Sequence, residues 1–201
     1  MKLLAINGSP NKRNTYALLE ALVEEAKKLG ADAEILNLAD FTINPCKGCD
    51  RCIREDCVQK DDIFKVLEAM RKADAIVIGA PSYFGSVPGI VKNLIDRSRM
   101  DRMGGFRLRN KIFAPVVTSG LRHGGAEFVA MSLIVYALGQ AMIVVSTAEN
   151  PLTTGSFPVG VIQGDAGWRG VKKDEIALNT ARALAKRIVE IANATQSLRS
   201  K

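Results

Sequence analysis

The sequence predicts a doubly wound α/β fold, in which a five-stranded parallel sheet lies between two helical layers as a three-layer α/β/α sandwich. Short apolar runs, without the alternation of half-exposed strands, follow one another with amphipathic helical segments between them. The 201 residues, 47% of them hydrophobic, suffice for one core, so residues 1–201 are expected to form a single domain. Small and polar residues gather directly after strands, where such folds bind ligands.

Each predicted strand is a short apolar run bounded by turn residues. The first run, 2–6, ends at Asn7 and Gly8. The run 75–80 is apolar throughout, so we expect it to be buried on both faces. The remaining strands are predicted at 33–38, 112–118 and 141–146. Right-handed crossovers between parallel strands place helices on both faces of the sheet.

Helices are predicted from apolar periodicity and from residues that favour helix ends. Asp61 or Asp62 can cap the second helix, Pro88 suits the first turn of the third, and Asp174 can cap the last. The predicted helices span 15–29, 62–72, about 88–99, 126–138 and 174–194. A core helix followed by a buried strand explains the apolar stretch 129–145 better than a membrane span does.

The loop after the first strand has the composition of a phosphate-binding loop. It leads into a helix whose first N–H groups can bind an anion. The loop lacks both the Gly-Lys-Ser/Thr ending of a Walker loop and the pattern G-x-G-x-x-G, so a phosphate monoester fits better. An ordinary loop with a helix cap at Asn14 is the alternative. The candidate ligand-binding residues are Ser9, Asn11, Arg13, Asn14 and Thr15.

Two further loops follow predicted strands. The segment Pro81-Ser82-Tyr83-Phe84-Gly85 places two large aromatic residues where the chain leaves the sheet. Aromatic faces and backbone donors suit a planar ring, although the same aromatics could close the core or make a subunit contact. Further along, Ser119, Gly120 and Gly124 follow the fourth strand, and glycines permit close approach of a ring. His123, the one histidine, could donate a proton, contact the bound ring or be an ordinary loop residue.

These segments resemble the NADPH-dependent FMN reductase family. Gly8-Ser9-Pro10 with Arg13-Asn14-Thr15 resembles its phosphate loop. Residues 81–85, followed by Pro88, Lys92, Asp96 and Arg97, resemble its second flavin loop, and 118–125 matches the third less specifically. The resemblance covers most of the first hundred residues. It implies a flavodoxin-like fold and FMN as the flavin, with the ring lying along the second loop.

All four cysteines fall within one segment, Cys46-x2-Cys49-x2-Cys52-x4-Cys57, in a loop at about 44–60. Disulfides are disfavoured in a cytoplasmic chain. Structural zinc usually takes two separated pairs of ligands, whereas the first three cysteines are evenly spaced, as in ferredoxin-type loops that wrap an iron–sulfur centre. Gly48 would help the loop to bend. Zinc, or a loop of free thiols, remains the alternative.

The cysteine motif resembles that of the iron–sulfur flavoproteins, a branch of the same family. Their motif also lies after the second strand and ahead of an Asp-Asp helix start, here Asp61-Asp62. The resemblance implies a 4Fe–4S cluster held by all four thiolates. It also implies ferredoxin as a one-electron partner, and assembly into dimers or tetramers with the cluster of one subunit near the flavin of another.

The resulting hypothesis is electron transfer by an oxidoreductase, because a flavin exchanges one or two electrons and a cluster exchanges one. An NAD(P)H-dependent FMN or quinone reductase would need no cluster. A zinc-stabilised interaction protein on the same scaffold is a hypothesis from another class.

The formal net charge of +7 bears on the partners of the chain. The basic residues are dispersed, so an anionic partner such as ferredoxin or NADPH is favoured over nucleic acid. The densest basic group is Arg97, Arg99, Arg102, Arg107 and Arg109. The apolar run 3–6 is too short for a signal peptide, so we expect a cytoplasmic location without membrane association.

Overall fold

A parallel sheet of six strands forms the centre of the computed structural model, which describes residues 1–155, 159–161 and 170–199. The strand order is β2-β1-β3-β4-β5, with β6 paired to β4. This is the doubly wound order of flavodoxin-like sheets, so the predicted fold class is confirmed. The strands are β1 (Lys2–Asn7), β2 (Asp32–Asn37), β3 (Ala75–Pro81), β4 (Ile112–Ser119), β5 (Ile143–Val144) and β6 (Val159–Val161).

The edge of the sheet beside β4 differs from the prediction. The strand expected at 141–146 is reduced to β5, which pairs with β4 at Ile112 and Phe113. Beyond this point the same edge of β4 is taken by β6, which pairs with residues 117–119. A three-residue strand has too short an apolar pattern to be recognised in sequence. Its central residue is Gly160, where a Cβ would lie 2.5 Å from Val171 Cγ2.

Seven α-helices cover the sheet in the described part of the chain, together with short 3₁₀ turns at Leu38–Asp40 and Arg51–Ile53. The helix expected at 88–99 is interrupted at Ser98, whose Oγ donates to the Ile95 carbonyl at 2.7 Å. The helices are α1 (Asn14–Lys28), α2 (Ile63–Lys72), α3 (Gly89–Arg97), α4 (Arg99–Met103), α5 (Ala126–Gly139), α6 (Glu175–Ala194) and α7 (Gln196–Arg199).

The predicted helix starts are confirmed in one case and corrected in two. Asp174 caps α6, because its Oδ1 accepts from Ala177 N at 3.0 Å. Asp62 occupies the cap position of α2 without a side-chain capping bond, while Asp61 Oδ1 accepts from Ile63 N at 3.2 Å. Pro88 is the residue before α3 rather than part of its first turn.

Two hydrophobic clusters lie on opposite faces of the sheet. Alternate residues of β1 point into each, with Leu4 and Ile6 on one side and Leu3 and Ala5 on the other. The first cluster is covered by α2, α3 and α5, and the second by α1 and α6. Every residue of 75–80 is buried, as predicted for a strand between two layers.

Among the residues that the structure describes, no helix has both the length and the apolar character needed to cross a membrane.

Candidate functional site

Three loops converge at the carboxyl edge of the sheet, where β1, β3 and β4 end. Gly8 N donates to the Gly79 carbonyl at 2.7 Å, and a Cβ on Gly8 would lie 2.7 Å from that oxygen. Only glycine fits at this close approach. The hydroxyls of Thr15 and Thr118 are 2.8 Å apart and connect the start of α1 to the end of β4. The first loop is therefore held against the other two.

The second and third loops contact each other directly. Ser82 Oγ donates to the Gly124 carbonyl at 2.5 Å, and Ser82 N donates to the Thr118 carbonyl at 2.7 Å. Gly125 has φ +77°, and a Cβ there would lie 2.6 Å from Gly85 Cα. These contacts make the two loops one wall with little freedom to separate.

A tight turn forms the tip of the second loop. Tyr83 and Ser86 exchange two backbone hydrogen bonds of 3.0 Å, and the two central residues, Phe84 and Gly85, have φ values of +54° and +73°. A phenylalanine in the left-handed region is unusual and is typical of functional loops. Tyr83 is 47% exposed and Phe84 fully so. The alternative that these aromatics close the core is therefore wrong.

A cleft of about 730 Å³ opens between the second and third loops. The cleft has the volume of a small-molecule site and is lined by apolar side chains and backbone. It also lies beyond the carboxyl ends of the strands, where doubly wound sheets bind ligands. These features suit a planar ring ligand. Seven of the predicted residues line it: Ser82, Tyr83, Phe84, Gly85, Ser119, Gly120 and Gly124. Pro81 ends β3 and does not line it.

Four residues of this cleft were not in the predicted binding set, although one of them, His123, was considered as a contact of the bound ring. They are Leu121, His123, Gly125 and Phe128. The glycine pair at 124–125 was a usable signal for Gly125, because a helix start in the left-handed region requires glycine. Phe128 had no such signal, since it lies inside α5 and its exposure depends on tertiary structure.

The first loop borders a neighbouring cavity of about 210 Å³ at the start of α1. Lys12, Arg13, Asn14 and Lys172 contribute to its lining. The cap position is Arg13 rather than Asn14, and it makes no side-chain capping bond. Among the described residues the Asn14 Oδ1 atom is buried without a hydrogen-bond partner. A helix start with surrounding cations fits a phosphate group.

The other predicted residues of the first loop are engaged with the protein itself. Ser9 is buried, and its Oγ accepts from Asn11 N at 3.2 Å. Thr15 is buried against Thr118. Ser9, Asn11 and Thr15 therefore shape the loop, while Arg13 and Asn14 are the predicted residues that border the cavity.

The four cysteines lie in a long loop closed at its base. Asp62 N donates to the Thr42 carbonyl at 3.0 Å, and Thr42 N donates to Asp62 Oδ2 at 2.9 Å. Gly48 has φ +63°, which gives the bend predicted for it, and Asp50 also lies in the left-handed region. The predicted loop thus leaves and re-enters the fold at one place.

All four cysteines are free thiols that border one cavity. Four basic side chains line the same cavity: Lys47, Arg51, Arg97 and Arg99. No three His, Cys, Asp or Glu side chains in the described ranges close on a single metal-ion position. A thiol set that surrounds a cavity, with cations beside it, fits the donor chemistry of a four-cysteine iron–sulfur cluster.

A buried ion pair closes one side of this cavity. The side chains of Arg97 and Asp61 are 1% and 3% exposed, and Arg97 Nη1 lies 2.7 Å from Asp61 Oδ2. Burial opposes the charge of Arg97, but Asp61 and Cys57 outweigh it and raise the pKa of the guanidinium. Burial also opposes the charge of Asp61, but hydrogen bonds from Arg97, Asn44 and Ile63 hold the pKa of its carboxyl below the ordinary value. Both groups are therefore charged at neutral pH.

Comparisons with known proteins show which family the chain resembles. The sequence model of the NADPH-dependent FMN reductase family matches residues 1–155. The chain is 75% identical over 199 residues to an iron–sulfur flavoprotein of Archaeoglobus fulgidus, covering 99% of both chains. It is 38% identical over 193 residues to an iron–sulfur flavoprotein of Methanocaldococcus jannaschii, covering 95% of this chain and 97% of that one.

Solved structures support the fold. A flavodoxin, WrbA-like protein from Agrobacterium tumefaciens superimposes with a TM-score of 0.64 at 19% identity, over 96% of this chain and 97% of that chain.

Proposed function

Because the chain belongs to the NADPH-dependent FMN reductase family, in its iron–sulfur flavoprotein branch, and is a flavin-dependent oxidoreductase, we propose that it transfers electrons through FMN and one 4Fe–4S cluster. The observation that carries the proposal is the presence of two separate candidate ligand sites on one chain. One is the cleft at the carboxyl edge of the sheet, and the other is the cavity bordered by four thiols.

The flavin would be held by two parts of the carboxyl edge. Arg13 and the first N–H groups of α1 would bind the phosphate, since a helix start and a guanidinium both favour an anion. Tyr83, Phe84 and the backbone of the third loop would orient the ring in the cleft. The monophosphate loop, without a dinucleotide pattern, favours FMN over FAD.

The cluster would be held by Cys46, Cys49, Cys52 and Cys57. When bound, FMN supplies one- and two-electron chemistry and the cluster supplies one-electron chemistry. Cations beside the thiols offset the negative charge that thiolate ligands bring. Zinc is less well supported, because structural zinc usually takes two separated pairs of ligands, whereas the first three cysteines of this loop are evenly spaced.

Among the residues that the structure describes, none that borders the thiol cavity also lines the cleft. The second loop leads into the start of α3, whereas Arg97, beside the thiols, is the last residue of that helix. A helix of nine residues is about 13 Å long. This separation supports the proposal that the chain works as a homodimer or homotetramer, in which the cluster of one subunit lies near the flavin of another.

An exposed apolar stripe on α5 also supports assembly. Phe128, Met131, Val135 and Leu138 are each more than half exposed and recur at helical spacing. Phe128 lies both in this stripe and in the cleft wall. A stripe of this kind marks a contact surface, and a second copy seated there would also cover the cleft.

A one-electron carrier such as ferredoxin, with NAD(P)H as a hydride donor, is the proposed source or acceptor of electrons. The test is to mix the anaerobic protein with reduced ferredoxin or with NADPH and to follow flavin and cluster absorbance. We expect Cys49→Ala to lose or degrade the cluster, to keep its flavin, and to lose reaction with ferredoxin only. Equal reaction of wild type and Cys49→Ala with ferredoxin would favour the cluster-free FMN or quinone reductase.

A further inference from the structure

The densest basic group in the sequence has partners within the chain itself. Arg99 Nη1 lies 2.5 Å from Asp50 Oδ1, and Arg107 Nη1 lies 3.1 Å from Asp56 Oδ1. Both acids belong to the cysteine loop. With the pair of Arg97 and Asp61, three arginines of this group bind carboxylates in or beside that loop. The group therefore anchors the cysteine loop through ion pairs and also supplies positive charge; Arg97, Arg99 and Arg107 are called the arginine seat.

Among these arginines, Arg97 contacts both the segment that enters the cysteine loop and the segment that leaves it. Its Nη1 donates to the Asn44 carbonyl at 2.9 Å, just before Cys46. Its Nη2 lies 3.4 Å from the Gln59 carbonyl, just after Cys57, and 3.1 Å from Asp61 Oδ1. The planar fork of a guanidinium holds its N–H donors in a fixed geometry that spans acceptors on both segments, whereas an ammonium group is a compact point charge at the end of a flexible stem.

Arg97 also lies beside the thiols. It borders the cavity that the four cysteines line, Cys57 among them. Positive charge and hydrogen bonds close to cluster sulfurs raise the reduction potential of a cluster, because they favour the more negative reduced state. One buried side chain thus joins the two ends of the loop and contributes charge to its interior.

We propose that Arg97 is a positioning residue that clasps the two ends of the cysteine loop and places Cys57 for ligation of the cluster. The cluster itself rests on the proposed function, but the clasp does not. Arg97→Lys keeps the positive charge and loses the fork, whereas Arg97→Gln loses both. The two variants therefore separate the clasp from the charge.

The clasp is tested on the full chain with flavin bound and no iron added. Lys47, Arg51, Arg54 and Lys60 are trypsin sites within or beside the loop. Cleavage of a transiently open loop follows the population of its open form. We expect both Arg97 variants to be cut in the loop roughly tenfold faster than wild type, since both lose the forked contacts to the Asn44 and Gln59 carbonyls. Arg97→Gln also leaves the buried carboxylate of Asp61 without its partner, which is strongly destabilising.

Arg102→Gln is the matched control. It removes one charge from the same basic group, but its guanidinium lies 5.9 Å from the centre of the Phe106 ring rather than on the loop. We expect wild-type cleavage for this variant. If Arg97→Gln fails to fold, the cleavage rate of Arg97→Lys tests the clasp. The double variant Arg97→Gln with Asp61→Asn gives a second test, because it leaves no unpaired carboxylate.

The reconstituted protein supplies the second readout. Arg97→Gln should lower the cluster midpoint potential by about 59 mV, which is tenfold in a one-electron equilibrium, while Arg97→Lys stays near wild type. The proposal would be overturned if both variants were cleaved in the loop at the wild-type rate and bound as much iron as wild type. Wild-type protein that binds no iron would refute the cluster but leave the cleavage result to decide the clasp.

Discussion

Glycine 125 shows how single residues shape the proposed flavin site. Its φ of +77° and its contact with Gly85 leave no room for a side chain. We predict that Gly125→Ala weakens FMN binding, because the clash of the new Cβ with Gly85 is relieved only by moving the second loop. The left-handed φ adds backbone strain of about 1–3 kcal/mol. Fluorescence titration measures this affinity. Gly89→Ala is the control, since a Cβ there meets nothing within 4 Å. Unchanged affinity of Gly125→Ala for FMN would show that the contact between Gly125 and Gly85 is not needed for flavin binding.

Asp61 should make the stability of the cysteine loop sensitive to acid. Its pKa in the folded protein lies below the ordinary value of 3.8. A group with a lowered folded pKa adds stability that is full above its unfolded pKa and is lost as the pH falls through the folded value.

We predict that wild type is more stable than Asp61→Asn above about pH 5, and that the two converge in stronger acid. Urea unfolding at a series of pH values measures the difference. A gap that stays constant into the acid range would show that the charge of Asp61 is not its source.

At the scale of elements, the start of α1 is the proposed phosphate site. We predict that Arg13→Ala weakens FMN binding by about 1.5–3 kcal/mol, the usual range for a hydrogen bond to a charged group. Riboflavin, which lacks the phosphate, should bind both proteins equally. Lys28→Ala removes a charge from the other end of α1 and serves as the control. Equal losses for FMN and riboflavin would place Arg13 away from the phosphate.

The elements also show what the sequence could and could not predict. The strands 2–6, 33–38, 75–80 and 112–118 are found within a residue or two. Three of them are largely continuous apolar runs, whereas 33–38, which contains Glu34 and Asn37, was predicted from the residues that share one side. The split edge at β5 and β6 was missed, since neither piece is long enough to show a pattern. The arginine seat was missed for another reason. Arg97 meets Asp61 across 36 residues and Arg99 meets Asp50 across 49, and local pattern carries no information on such pairs.

At the scale of the whole molecule, the apolar stripe of α5 should form a contact between subunits. We predict that Val135→Glu, or Met131→Glu, shifts the homo-oligomer towards monomer, because a buried carboxylate without a partner is costly. Sedimentation velocity measures the assembly. Ile176→Glu is the matched control, since Ile176 is 58% exposed on α6, in the opposite helical layer. An oligomer that survives both α5 variants would place the contact elsewhere.

The central claim is that one chain carries two redox groups, in the cleft and in the cysteine loop. The most direct measurement is the content of FMN, iron, acid-labile sulfide and zinc per chain after anaerobic purification and reconstitution. The account predicts one FMN with about four irons and as many sulfides, as the four-cysteine site requires. Protein that holds FMN but takes up zinc, and never about four irons, would contradict the cluster and leave a flavin reductase.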